Sequence, residues 1–135
     1  MIGLDTGFFV ELLRNNPQAV EVWEGIIDGD ESVVSCLTFY ELKRLSLKGI
    51  MDPVTLNVLH EAIAGICKVV WLDNVERLRE AATISYSYGI HGMDSLILAS
   101  LLSLNPRTIF TTDLHFETYK KKGLSIINMR ASPRS

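Results

Sequence analysis

Two patterns of apolar residues alternate along the chain. Short continuous apolar or β-branched runs, which favour buried strands, fall at residues 2–4, 32–36, 68–72, 108–111 and 124–127. Between them, apolar residues recur at helical spacing. They predict a first helical segment that ends near Glu11, followed by helices over residues 18–27, 39–47, 53–66, 75–86, 94–104 and 114–122. Continuous apolar strands separated by helices predict a three-layer α/β/α domain around a central, mainly parallel, five-stranded sheet.

Local signals mark several helix ends. Asp52-Pro53 places a capping carboxylate before a proline whose fixed φ suits the first helical position. Thr38 is expected to cap the helix over residues 39–47, and Gly49 to end it. The length of 135 residues fits a single domain, which we place at residues 1–129, with residues 130–135 as a flexible tail.

Composition narrows the possible surroundings and partners. A formal charge of -3 gives no overall basic field, so binding of a nucleic acid would depend on local basic residues or on a metal. Cys36 and Cys67 lack the spacing of zinc ligands and are expected to be buried thiols. The apolar fraction of 47% indicates that another subunit covers some helix surface, which predicts a homodimer or higher oligomer.

The sequence shows neither a secretion signal nor a membrane span. Asp5 interrupts the first apolar run at once, so the N-terminus lacks the apolar core of a signal peptide. The other apolar stretches fall short of the roughly twenty residues that cross a bilayer. We therefore expect a cytoplasmic protein.

Acidic residues follow or accompany the predicted elements in a regular way. Asp5 ends the first apolar run, and Asp113 comes just after the fourth. Glu41 lies in the helix over residues 39–47, and Asp94 begins a later helix. Because the carboxyl ends of parallel strands share one edge of a sheet, such residues can meet there. Crowded carboxylates repel one another unless a cation lies between them, so the pattern favours divalent metals and phosphate chemistry.

Other sites that are common in parallel α/β sheets lack their motifs here. The chain contains neither GxxxxGK[ST] for a nucleoside triphosphate nor GxGxxG after the first strand for a dinucleotide. A phosphotransferase of the haloacid type would need a second Asp at Gly7. A receiver domain would carry a paired acid at strand one and a Lys after strand five, where Asn128 stands.

The acidic motifs together resemble the PIN-domain ribonucleases, especially the VapC-type toxins. The similarity is carried, in order along the chain, by Asp5-Thr6, residues 38–42, residues 94–99 and residues 111–116. It implies an endoribonuclease dependent on Mg²⁺ or Mn²⁺ that hydrolyses RNA, and a VapB-type antitoxin as partner. The implied catalytic and metal-binding residues are Asp5, Glu41, Asp94 and Asp113, with Thr6 and Thr112 supporting them.

Each implied site residue also has an ordinary structural interpretation. Asp5, Asp94 and Asp113 precede predicted helices, where an Asp N-cap contributes about 1 kcal/mol. Glu41 alone would be a solvated helix residue. His115 is interpreted as facing solvent, with the ordering of a water or a phosphate near Asp113 as the alternative, and Glu117 is interpreted as a surface residue.

Partner-binding residues are less well defined. Arg14, Lys43, Arg44, Lys48 and residues 120–122 are available to guide an RNA backbone, although most fit ordinary solvated faces. An antitoxin groove could use Phe8, Phe9, Leu12 and Trp23, and these residues fit an ordinary core equally well. The alternative function is a housekeeping or catalytically silent module that uses the same fold to hold RNA or protein.

Overall fold

Five short strands form one parallel sheet in the computed structural model, which describes residues 1–130. They are β1 (Ile2–Leu4), β2 (Ser32–Ser35), β3 (Lys68–Val70), β4 (Thr108–Thr111) and β5 (Ser125–Asn128). The strand order is β3-β2-β1-β4-β5, and each neighbouring pair is parallel. The prediction of a central parallel five-stranded sheet is confirmed.

Helices cover both faces of this sheet. They are α1 (Thr6–Leu13), α2 (Pro17–Ile27), α3 (Leu37–Leu47), α4 (Pro53–Ile66), α5 (Val75–Tyr88), α6 (Gly92–Leu102) and a 3₁₀ helix at Leu114–Thr118. Phe110 faces a core shared with α1 to α4, whereas its neighbour Ile109 faces a second core shared with α5 and α6. Adjacent strand residues thus point to opposite cores, which gives the three layers.

Several predicted helix limits differ from the structure, and three of the differences lie near the carboxyl edge of the sheet. Helix α3 begins at Leu37, and Thr38 is buried inside it beside Thr6 rather than capping it. Helix α6 begins at Gly92, two positions before Asp94. The segment predicted as a helix over residues 114–122 is a 3₁₀ turn that ends at Tyr119, where the backbone becomes extended.

The structure also bears on the predicted burial of the two cysteines, on the predicted tail and on the absence of a membrane span. Cys67 is buried as predicted, but Cys36 is only half-buried because it precedes α3 at the strand edge. The predicted tail lies outside the described residues except for Arg130, whose amide donates to Asn128 Oδ1 at 2.9 Å. No helix within residues 1–130 combines the length and apolarity needed to cross a membrane.

The pairing of β1 with β4 determines where the first acid lies. Leu4 is in register with Phe110, and the Asp5 amide donates to the Phe110 carbonyl at 3.0 Å. Asp5 therefore leaves the sheet next to Thr111, at the carboxyl edge of the two central strands. Ligand sites in open parallel sheets form at this edge.

Candidate active site

Asp5 is a buried carboxylate at the junction of β1 and α1. Its side chain is almost fully enclosed, with Oδ1 accepting from the Thr6 amide and Oδ2 accepting from Thr111 Oγ1, both at 2.7 Å. Burial raises the pKa of Asp5 to about 6, and the charges of Glu41 and Asp113 act in the same direction, against these two hydrogen bonds. The carboxylate is thus held in place while its negative charge remains poorly compensated.

Thr6 connects Asp5 with Glu41. The Thr6 hydroxyl donates to Glu41 Oε1 at 2.5 Å and lies 3.1 Å from Thr38 Oγ1. These contacts join the first turn of α1 to α3 and orient Glu41 toward the strand edge. Glu41 is therefore a half-buried, hydrogen-bonded residue rather than a freely solvated one.

Asp94 lies in the first turn of α6 and does not cap it, because the N-cap position belongs to His91. Partial burial raises the pKa of Asp94 to about 7, together with a hydrogen bond to the Asp113 carboxyl group and repulsion from nearby carboxylates. Those neighbours are Asp113, Asp5 and Glu41. The structure thus brings all four predicted acids into one cluster.

Asp113 follows β4 as the N-cap of the 3₁₀ helix. Its Oδ1 accepts from the His115 amide at 2.8 Å and lies 2.9 Å from His115 Nδ1. Asp94, Asp113 and His115 each offer a possible metal-ligand atom within 4.8 Å of the others. His115 is thus exposed, as predicted, and also contacts the acidic cluster.

The donor set fits a divalent metal. Within residues 1–130, none of Asp5, Glu41 and Asp94 forms an ion pair with Lys or Arg, so no cationic side chain neutralises these acids directly. Carboxylate oxygens are the preferred ligands of Mg²⁺ and Mn²⁺. A bound cation would replace mutual repulsion with attraction at each carboxylate.

Thr111 is a site residue that the sequence reasoning did not select. Its hydroxyl donates to Asp5 and accepts from the Asp113 amide at 2.9 Å, so one side chain joins two of the acids. Thr112, the predicted supporting residue, packs against Gly7 in the first turn of α1. A Cβ on Gly7 would lie 1.9 Å from Thr112 Oγ1, so only glycine permits this close approach.

A cleft of about 530 Å³ adjoins the acidic cluster. Thr6, Glu41 and Thr112 form its side nearest the acids, and Tyr40, 55% exposed, lies along it. Three arginines also line it: Arg14, Arg44 and Arg130. Arg14 and Arg44 were among the predicted basic candidates, whereas residues 120–122 border a separate pocket and Arg130 was assigned to the tail.

The aromatic residues considered for a partner groove belong to the core. Phe8 and Phe9 are fully buried, with ring centroids 5.2 Å apart in an edge-to-face arrangement. Leu12 and Trp23 are partly buried against the same core. The ordinary-core interpretation is therefore correct for Phe8 and Phe9, whose enclosed rings cannot line a groove.

Glu117 contacts β5 and is not a free surface residue. Asn128 Nδ2 donates to Glu117 Oε2 at 3.1 Å. Both side chains are at least half-buried, and Asn128 also accepts from the Arg130 amide. This chain of contacts fastens the segment after β5 near the cleft.

Comparison with known families matches residues 2–122 to the PIN domain. The chain belongs to the PIN-domain family. This confirms the resemblance carried by the four acidic motifs, and it agrees with a cluster of carboxylates at the carboxyl edge of a parallel sheet. Comparison with curated protein sequences gives no match.

Three solved structures have the same fold. VapBC2 from Rickettsia felis, bound to a DNA fragment from its promoter, aligns with a TM-score of 0.72 at 15% identity, over 95% of this chain and 98% of that one. A toxin-antitoxin complex from Klebsiella pneumoniae aligns with a TM-score of 0.71 at 13% identity, over 96% of this chain and 98% of that one. FitAcB from Neisseria gonorrhoeae aligns with a TM-score of 0.63 at 23% identity, over 98% of this chain and 100% of that one. At these identities the similarity establishes the PIN fold.

Proposed function

We propose that this protein is a divalent-metal-dependent endoribonuclease that hydrolyses phosphodiester bonds in RNA. One observation carries the proposal: the buried Asp5 and the partly buried Asp94 share a cluster with Glu41 and Asp113, and burial raises the pKa of each of the first two. A helix cap needs no such clustering. A metal site does, because several oxygens must approach one cation.

The four carboxylates would hold Mg²⁺ or Mn²⁺. When bound, such an ion supplies an activated water and a position for a phosphate oxygen. The side chains of this protein set the geometry of that site. Thr111 and the Thr6 amide fix Asp5, and the Thr6 hydroxyl fixes Glu41, so both acids are oriented before any ligand arrives. Hydrolysis by water leaves a 5′-phosphate and a 3′-hydroxyl.

The adjoining cleft suits the RNA backbone. Within residues 1–130, Arg44 and Arg130 make no ion pair, so their guanidinium groups are available to phosphates. Tyr40 is exposed next to Glu41 and can stack on an unpaired base. Basic and aromatic groups beside the acids compensate for the lack of an overall positive charge, which favours single-stranded RNA as substrate.

We further propose that the protein is the toxin of a VapBC-type pair and acts in the cytoplasm. Its support is the similarity of fold to VapBC2 and to the Klebsiella toxin-antitoxin complex over nearly the whole chain. A VapB-type antitoxin would block the cleft with apolar side chains and an Arg or Lys directed at the acids. Coexpression with a short open reading frame from the same operon should relieve growth arrest, whereas unimpaired growth on strong expression of the chain alone would contradict the toxin role.

Exposed apolar side chains support association between copies of the chain. Val54 and Val58 lie one turn apart on α4 and are 72% and 62% exposed. Burying such a surface against a second copy would remove apolar area from water. A homodimer is therefore our expected state, and light scattering of the purified protein measures it.

The direct test of the enzymatic proposal uses the purified, antitoxin-free protein and a panel of single-stranded RNAs. Cleavage should require Mg²⁺ or Mn²⁺ and stop with EDTA, since the acids repel phosphate without a cation. Cleavage that persists without metal would contradict the mechanism. Metal binding with no cleavage of any RNA would instead support the silent binding module.

A further inference from the structure

His115 is held against the acidic cluster by its backbone as well as by its ring. The His115 amide and Nδ1 both contact Asp113 Oδ1, at 2.8 and 2.9 Å. The His115 carbonyl accepts from Thr118 Oγ1 at 2.8 Å, within the same 3₁₀ helix. The ring therefore has a defined orientation although most of its surface is exposed.

The spacing of these atoms suits neighbouring ligands on one metal ion. In an octahedral site with metal–ligand distances of about 2.1 Å, adjacent ligand atoms lie about 3 Å apart. Nδ1 of His115 and Oδ1 of Asp113 have this separation, at which they form a hydrogen bond in the metal-free protein, and a bound ion would take the place of the proton between them. Asp94 offers an oxygen within 4.8 Å of the ligand atoms of both residues. A ring that coordinated through Nδ1 would carry its proton on Nε2, on the exposed side of the ring.

We infer that His115 is a direct ligand of the metal site, through Nδ1, and adds one nitrogen donor to the four carboxylates. The inference rests on the metal site of the proposed function and specifies its selectivity. Mg²⁺ takes almost only oxygen ligands, whereas an added imidazole nitrogen increases the affinity for first-row transition metals, least for Mn²⁺ and more for Co²⁺ and Ni²⁺. His115 should therefore increase the preference of the site for Mn²⁺ over Mg²⁺.

The test compares the full-length wild type with His115→Ala and His115→Asn. Asn keeps a donor for Asp113 but offers no imidazole nitrogen. His91→Ala is the matched control, since His91 is also exposed and makes no side-chain capping bond at the start of α6. Each metal-free protein is titrated with Mn²⁺ and with Mg²⁺ by calorimetry, and pulsed electron paramagnetic resonance of bound Mn²⁺ detects coupling to imidazole nitrogen.

The wild type and His91→Ala should show imidazole coupling, and both His115 variants should lose it. Affinity for Mn²⁺ should fall roughly 10–100-fold in the His115 variants, with a much smaller change for Mg²⁺. Coupling that survives in His115→Ala, or equal losses for the two metals, would overturn the inference and leave His115 as a hydrogen-bond partner of Asp113. Neither measurement uses RNA. If the protein shows imidazole coupling but cleaves no RNA, the proposed function is contradicted and the inference stands. If it cleaves RNA without that coupling, the inference is contradicted and the proposed function stands.

Discussion

Helices α1 and α4 both have an Asp N-cap in nearly the same backbone conformation, but the two Asp side chains lie in opposite surroundings. The N-cap Asp5 has φ and ψ of -81° and 164°, and the N-cap Asp52 has -78° and 160°. Asp52 is exposed, and its hydrogen bonds from the Thr55 amide and hydroxyl lower its pKa. Asp5 is buried among other acids, and its pKa is raised to about 6.

The comparison separates what a helix cap needs from what a metal site needs. Capping requires an extended backbone and an oxygen near the first amides, and both residues meet that requirement. Only Asp5 combines burial, like-charged neighbours and a supporting hydroxyl from another strand. Burial and surroundings, rather than the capping motif, thus identify the candidate ligand.

The largest expected difference between the two caps is in activity. Asp5→Asn should reduce RNA cleavage at least about 100-fold, because a carboxylate ligand becomes a neutral amide. Asp52→Asn should cleave RNA at the wild-type rate, since Asn also caps helices well. Initial rates on one RNA at saturating Mn²⁺ measure both, and equal rates in the two variants would remove the distinction.

The second largest expected difference between Asp5 and Asp52 is in how the free energy of unfolding depends on pH. In the metal-free protein, the pKa values of about 6 for Asp5 and about 7 for Asp94 lie above the unfolded value of 3.8. Each group therefore favours the fold most when it is protonated, and that contribution is lost as pH rises from about 4 through 7. The free energy of unfolding in EDTA should be higher at pH 5 than at pH 8, by on the order of 1–3 kcal/mol.

The variants test which residue causes this slope. Asp5→Asn should reduce it, since Asn does not ionise. Asp52→Asn should keep it, because a lowered pKa changes stability only as pH falls toward and below the unfolded value. Urea unfolding of the three proteins at pH 5 and pH 8 supplies the comparison, and a slope that Asp5→Asn leaves unchanged would contradict the assignment.

Removing the Thr111 hydroxyl, which donates to Asp5, should have a smaller effect on activity than removing the Asp5 carboxylate. Thr111→Val should destabilise the protein by about 1–2 kcal/mol and slow RNA cleavage about tenfold, because Asp5 loses a donor and the Asp113 amide loses an acceptor. Thr111→Ser should restore both. Thr112→Val is the matched neighbour, and a greater loss of activity there than in Thr111→Val would favour Thr112 as the supporting residue.

Sequence reasoning predicted the sheet well because its strands are continuous apolar runs between helical segments. It failed where a polar residue had two possible partners. Thr38 looks like a helix cap but is buried against Thr6, and Asp94 looks like the start of α6 but lies in its first turn. For Thr38, a contact remote in sequence outweighs the local signal. For Asp94, α6 begins two residues earlier, and the carboxyl group contacts that of Asp113 instead of capping the helix.

The clustering of the four acids could be predicted because their order along the chain is a motif, whereas their supporting contacts could not. Thr111 and Thr112 are adjacent and chemically identical, and only the direction in which each side chain leaves the end of β4 decides which one reaches Asp5. Arg130 follows the last predicted strand, where no strand or helix pattern continues, so the sequence places it in the tail. Its position at the cleft depends on the contacts of Asn128 at the end of β5.

Thermal unfolding with and without metal tests most directly whether Asp5 is a ligand or only a cap. At a free Mn²⁺ concentration 100 times its Kd, binding to the folded state adds about 2.7 kcal/mol. For a domain of this size the Tm should rise by roughly 10 °C. Wild type and Asp52→Asn should show this rise relative to EDTA, and Asp5→Asn should show only a small part of it. Equal rises in all three proteins would contradict the account and return Asp5 to the role of a helix cap.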